Sequence, residues 1–321
     1  MAPRGVFAIV ALLGALALAP AHAADFPTRP VKLIVPFPPG GATDIVARLV
    51  GERLAARWGQ AVVIENKPGA GTIVGTSALA NAPADGYTIA TAISAYLINP
   101  SLHHDLPYDT LRDLTGVSLV TYQSMVVLAN PDLPADDVPS MVALAKRTPG
   151  GLAYGTPGIG TLMHLSGELI ARAAGIELNH IPYAGGGAAA TDAIAGRIPL
   201  MFDIWFAARP NVVAGKLKPI GLLDAKRLPD MPNLMTFDEV YPGLVARSSL
   251  GLVMRSATPR PLIERISADA AAVVREPALA QRMHELGLEP VGSTPDEYDA
   301  FIRREIARWK SVIDAKHIRL E

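Results

Sequence analysis

The chain has 321 residues, 50% of them hydrophobic, with a formal net charge of −1. That supplies apolar material for a sizeable core, with no basic surplus for nucleic acid and no acidic tail. It contains no cysteine, which excludes disulfides, thiol catalysis and thiolate metal sites.

Arg4, an apolar run over 6–18 and the pattern Ala21-His22-Ala23 come first. This is the layout of a secretory signal peptide, cleaved near Ala23 to leave a mature chain from Ala24. The run falls short of the ~20 residues that a membrane-spanning helix needs. With no cysteine to carry a lipid, a soluble protein of the periplasm is expected. The remaining length, about 300 residues, suggests about two domains.

Apolar strands then alternate with amphipathic helices. Residues 31–35 read as a buried strand, and 45–58 carry apolar residues at helical spacing. Next come a strand at 61–65, a helix through 75–81 and a strand at 87–92. An extended stretch over 117–120 and 125–129 ends at Asn130-Pro131. A second set follows: helix 138–147, strand 152–154, helix 162–174 stopped by Gly175, and strand 178–181. Helix 188–195, with Gly196 beyond it, leads to strands at 198–203 and 218–223. Residues 249–254 are extended again and return to the first set. Helices start at Thr258-Pro259 and at Thr294-Pro295-Asp296-Glu297, the second with a capping box. Its apolar face, Tyr298, Ile302, Ile306, Trp309 and Ile313, is expected to pack on a domain. The alternation argues for α/β layers with mostly parallel sheets.

Four loops follow strands and precede helices, so parallel sheets gather them at one edge. They are the turn Phe37-Pro38-Pro39-Gly40-Gly41-Ala42-Thr43-Asp44, the segment around Ser94, the run 155–161 with Gly158, Gly160 and Thr161, and Tyr183-Ala184-Gly185-Gly186-Gly187. Helix starts present unpaired N–H groups and a positive dipole end, which is an anion site without arginine. Thr43, Ser94, Thr156 and Thr161 add hydroxyls. Asp44 reads either as first-turn charge, the preferred reading, or as a partner for a ligand amino or hydroxyl group.

Other chemistries fit less well. Gly69, Gly71 and Gly75 are one residue off the dinucleotide pattern, so a turn at Lys67-Pro68-Gly69 is preferred. No serine sits in a GxSxG elbow, so a secreted hydrolase lacks its nucleophile. His103-His104-Asp105 reads as a solvated loop before a metal site. His164, one turn from Glu168, reads as a histidine serving the cleft, or packing, before a metal ligand. Trp205 and Phe206, just after Asp203, suit either a core or one wall of a pocket.

The chain resembles the tripartite tricarboxylate transporter substrate-binding proteins, also called Bug receptors, along essentially the whole mature sequence. The marks include 26–30 (Phe-Pro-Thr-Arg-Pro), 35–41 with Thr43-Asp44, 65–71 (Glu-Asn-Lys-Pro-Gly-Ala-Gly) and 83–88. They continue with Leu106-Pro107-Tyr108-Asp109, Gly158–Thr161 with His164-Leu165, Pro182-Tyr183, Met201-Phe202-Asp203 and Ala214-Gly215-Lys216-Leu217. The resemblance implies a type II, Venus-flytrap periplasmic binding protein: two domains, two crossing connections, no catalysis, no cofactor and no metal. The expected division is 24–124 with 248–321 against 125–247, with the ligand cleft between. It implies a small organic acid held by Phe37, Gly40, Gly41, Thr43, Asp44, Gly158, Gly160, Thr161, His164 and Asp203. Ser94, Tyr183 and Trp205 are further candidates. A monomer that docks on membrane transporter subunits is expected; a sensor for a two-component kinase is the alternative. Leu162, Ile204-Trp205 and the missing lysine in 184–187 depart from the family pattern and suggest an apolar ligand tail.

Overall fold

The computed structural model describes residues 26–319, so the signal peptide expected over 1–23 lies outside the described residues. The chain begins with β1 (Val31–Val35), α1 (Ala42–Trp58), β2 (Val62–Asn66), α2 (Ile73–Ala80), β3 (Thr88–Ile93), α3 (Ser94–Leu102) and the long β4 (Leu114–Gln123). After Ser124 it enters β5 (Met125–Ala129), α4 (Val138–Arg147), β6 (Leu152–Thr156), α5 (Leu162–Ala174), β7 (Leu178–Pro182), α6 (Gly186–Ile194), β8 (Leu200–Ile204), α7 (Trp205–Val213) and β9 (Lys218–Leu222). It returns through β10 (Ser248–Arg255) to α8 (Arg260–Val274), α9 (Pro277–Glu285), β11 (Leu288–Pro290) and α10 (Pro295–Lys316).

Two sheets result, one ordered β11-β4-β10-β3-β1-β2 and the other β7-β6-β8-β5-β9. Each sheet with its helices is a lobe. The sheets are mixed, which corrects the expectation of mostly parallel ones. Pairing is parallel where a helix intervenes, as in β1 with β2 and β3, and β6 with β7 and β8. It is antiparallel at β4, β5, β9, β10 and β11. The difference follows from connectivity, since a crossover helix returns the chain in the same sense. The strands that carry the chain between lobes run against those units.

Local chemistry accounts for the element ends near the site. The sequence of β1, VKLIV, buries every residue but Lys32, as a strand covered on both faces requires. Gly59 stops α1 in the left-handed region at φ 65°, where its N–H reaches Ala55 O. The capping box of α10 forms: Glu297 N–H donates to Thr294 Oγ1 and Thr294 N–H to the Glu297 carboxylate. The buried face of α10 rests on β4, α3 and α5, so this helix touches both lobes. Its Tyr298 ring lies where a side chain at Gly251 would stand, 2.2 Å from the ring's Cζ. Only glycine leaves that strand room for the ring.

Candidate functional site

Parallel pairing puts the carboxyl ends of β1, β2 and β3 on one edge of the first lobe. The turn at 36–41 leaves β1 there, with Gly40 at φ 87° and residues 38–41 exposed. Gly40 N–H donates to Asp44 Oδ2 at 2.9 Å, four residues on. That carboxylate also accepts from Arg48 Nε at 2.8 Å and from Asn66 Nδ2 at 2.9 Å. Asn66, at the end of β2, donates in addition to Phe37 O at 3.0 Å. The Arg48 guanidinium holds the Asp44 acid at about 2, against burial, which pushes it up. Asp44 is 2% exposed and its oxygens are occupied by the turn. Asp44 is the first-turn acid of α1 that the sequence favoured, and its oxygens are bonded to the turn and its neighbours.

No side chain caps α1, whose N-cap is Gly41, and Thr43 is half-buried in its first turn. On the same edge α3 also starts uncapped, with buried Ser94 as its first residue. Between them the loop after β2 holds four consecutive positive φ angles, at Gly69 (133°), Ala70 (45°), Gly71 (58°) and Thr72 (83°). Asn99 Nδ2 donates to Gly71 O at 2.8 Å and pins it. The glycine pair announced this turn in the sequence. The strained Ala70 and Thr72 gave no signal, because nothing local asks them to be left-handed.

The second lobe repeats the plan at the ends of β6, β7 and β8. After β6 the turn runs through Gly158 (φ 149°) and Gly160 (φ 73°) to Thr161, the N-cap of α5. Thr161 Oγ1 accepts from His164 N–H at 3.3 Å and donates to Gly158 O at 2.8 Å. Gly160 N–H donates to His164 Nδ1 at 3.0 Å, again four residues on. The His164 ring is stacked on His180 of β7, centroids 3.8 Å apart and 13° from parallel. Burial lowers both imidazoles to about 4, and for His180 the neighbouring His164 adds to the effect. Both rings are therefore neutral at physiological pH. His164 serves the turn from behind.

Asp203 lies near the end of the middle strand of this sheet, beside the turn after β6 and the start of α6. A side chain on Gly186 would stand 3.4 Å from its Oδ2, and Gly185 starts α6 without a side-chain cap. Ile204 N–H donates to Asp203 Oδ1 at 2.8 Å, and among the described residues no Lys or Arg pairs with it. Burial pushes the acid up to about 6, against that backbone bond. Half-buried and without a cation, Asp203 needs a hydrogen-bond donor.

Two candidates point elsewhere. Tyr183 Oη donates to Asp192 Oδ2 at 3.0 Å, and Asp192 pairs with Arg197 at 2.7 Å, so the hydroxyl is taken up by α6. Trp205 is 2% exposed among Val126, Leu128 and Met201, and takes the core position of its two readings. Its backbone N–H donates to Ser124 O where the chain first crosses. Leu162 is also buried, so the apolar wall expected from the sequence keeps only Ile204, half-buried beside Asp203. His103 lines an open cavity of about 490 Å³ with His104 and Tyr108, and a second of about 510 Å³ lies behind the crossing near Ser124 and Gly287. Neither reaches the glycine turns.

The family described as the tripartite tricarboxylate transporter family receptor matches residues 46–318. Protein BugT of Bordetella pertussis is 34% identical over 298 residues, 92% of this chain and 91% of that protein. The R. palustris protein Rpa4515, solved with adipate, aligns with a TM-score of 0.81 and 32% identity, over 92% of this chain and 99% of its own. MatC of Rhodopseudomonas palustris, solved with bound malate, aligns with a TM-score of 0.75 and 28% identity, over 90% of this chain and 100% of its own.

Proposed function

Because the chain belongs to the tripartite tricarboxylate transporter family of receptors, we propose that it captures a small organic carboxylate between its lobes in the periplasm and delivers it to the transporter's membrane subunits. The observation that carries this reading is the paired construction of the two glycine turns. Each lies at the carboxyl edge of its sheet, and each is braced by a side chain four residues on. Around them α1, α3 and α6 begin without side-chain caps, which leaves amide hydrogens for an anion. Two structural neighbours were solved with carboxylic acids, adipate and malate, which supports the ligand class.

The contacts we assign are backbone N–H groups at 41–43 and at 162–163, the Thr43 and Ser94 hydroxyls and the flank of Phe37. Asp203 faces the other end of the ligand. Asp44, Thr161 and His164 hold the turns. The lobes divide at 124–125 and 247–248, a division supported by the change of sheet from β4 to β5 and from β9 to β10. An acid touching both lobes favours the closed form by its differential affinity, and closure strengthens its hydrogen bonds by removing water. The protein then binds and releases without chemistry.

A thermal-shift series with adipate, malate and monocarboxylates tests this. A ligand at about 100 times its Kd adds about 2.7 kcal/mol to the native state, a readily seen rise in Tm. If no organic acid raises Tm at millimolar concentration, the carboxylate reading is wrong.

A further inference from the structure

Resting on the reading of the two turns as faces of one cleft, we propose that His164 is the positioning residue of the second turn: its unprotonated Nδ1 holds the Gly160 amide, and protonation of the His164–His180 pair unlocks that turn while the first stays fixed. The bond from Gly160 N–H to Nδ1 is 3.0 Å long. A ring nitrogen accepts only when it carries no proton, which puts the proton of neutral His164 on Nε2. His180 braces the same turn at another point. Its Nε2 lies 2.6 Å from Thr156 Oγ1, which bonds Gly158 at both N (3.3 Å) and O (3.2 Å). The pair therefore controls Gly158 and Gly160 together.

The surroundings favour the neutral pair. From β6, Tyr154 donates its hydroxyl to His164 O at 3.2 Å. From α5, Glu168 acts on His180 in the opposite sense, toward the charged form, and its charge is paired with Lys316 of α10 at 2.8 Å. From β8, Phe202 is packed on Tyr154, and Asp203 is the next residue of that strand. A proton on either stacked ring puts a buried charge 3.8 Å from its neighbour. Gly40 in the first lobe makes the same bond at the same spacing to the Asp44 carboxylate. The imidazoles titrate at about 4 and the carboxylate at about 2, so acid reaches the second turn first.

Imidazole and amide nitrogen spectra of the uniformly labelled full chain decide the inference without any ligand. The expected result is an unprotonated Nδ1 on His164 at neutral pH, and a Gly160 amide that moves in acid with the imidazole midpoint while the Gly40 amide stays put. In His164→Asn, whose side-chain oxygen can accept but does not titrate, the acid shift of Gly160 disappears. Calorimetry with adipate as probe adds a second readout. His164→Leu should weaken binding about tenfold, or about 1.4 kcal/mol, with His164→Asn recovering most of the loss. A protonated Nδ1 at neutral pH, a Gly160 amide that ignores the imidazole titration, or a Leu variant that binds like wild type overturns the proposal. Failure of adipate to bind wild type counts against the carboxylate reading, and the spectra then decide this inference alone.

Discussion

The two glycine turns solve one geometric problem with different chemistry. Each leaves a parallel strand, turns at a key glycine of positive φ and enters a helix whose fourth residue past that glycine reaches back to its N–H. In the first lobe the acceptor is an ionised carboxylate, fixed by Arg48 and Asn66. In the second it is a neutral imidazole, fixed by stacking on His180. A carboxylate so near the proposed ligand site is tolerated because its charge is already paired. The imidazole brings no charge, so the second turn needs no counter-ion. What the pair teaches is that the acceptor's direction matters to the turn, while its charge is set by what else is nearby.

The largest expected effect comes from removing the charged brace. Asp44→Ala leaves Gly40 N–H without its acceptor and takes one bond from Asn66 and the ion pair from Arg48. Hydrogen bonds to charged groups contribute about 1.5–3 kcal/mol each, and Arg48 returns to water, so a loss of about 3 kcal/mol is expected. Urea unfolding measures it, and adipate binding should fall more than tenfold. A stability change below about 1 kcal/mol would mean that the turn holds without its carboxylate.

Acid separates the two braces. His164 and His180, lowered from 6.5 to about 4, refuse protons in the fold that the unfolded chain accepts. Stability therefore falls as pH drops from 6.5 to about 4 and levels off below. Asp203, raised from 3.8 to about 6, has the opposite sign: its fold takes up a proton early, so stability rises over 6 to 3.8. Two imidazoles outweigh one carboxylate, and a net loss of about 3 kcal/mol between neutral pH and pH 4 is expected. Asp44, lowered from 3.8 to about 2, keeps its full contribution above 3.8 and loses it only toward 2. Urea midpoints across this range should show the loss in wild type and a flatter profile in His164→Asn. A wild-type midpoint that stays level down to pH 4.5 would contradict the assignment of buried neutral histidines.

How much of this was legible in the sequence differs between the lobes for the same physical reason. The turn at 37–44 was readable because prolines stop a strand, glycines permit the bend and helical periodicity resumes at once. Asp44 was readable as an acid in a first helical turn, but its partners were not all local. Asn66 comes from the next strand, and only parallel pairing of β1 with β2 brings it within reach. His164 was marked as a site residue, yet its ring is oriented by His180, which joins it through β7. The antiparallel strands were hidden because periodicity reports burial and not direction. Pro100 and Pro210 lie inside α3 and α7, and both segments lacked a clear helical signal. Trp205 shows the converse. The sequence left this aromatic open between core and pocket wall, and the structure packs it in the core.

The smallest effect sharpens the comparison most, because its two readouts have opposite signs. Thr161 caps α5, whereas Gly41 leaves α1 uncapped. Gly41 has φ −79° and ψ 168°, an extended conformation open to any residue, and a Cβ there stands 4.0 Å from Pro38 O. Gly41→Ser therefore fits without strain and supplies the missing cap. Serine in place of glycine at an N-cap stabilises by a few tenths of a kcal/mol, about 0.3 here. The same hydroxyl occupies the N–H groups that we assign to the ligand, so adipate affinity should fall several-fold while Tm rises slightly. A variant that gains stability and binds as before would show that the open start of α1 is not where the acid sits.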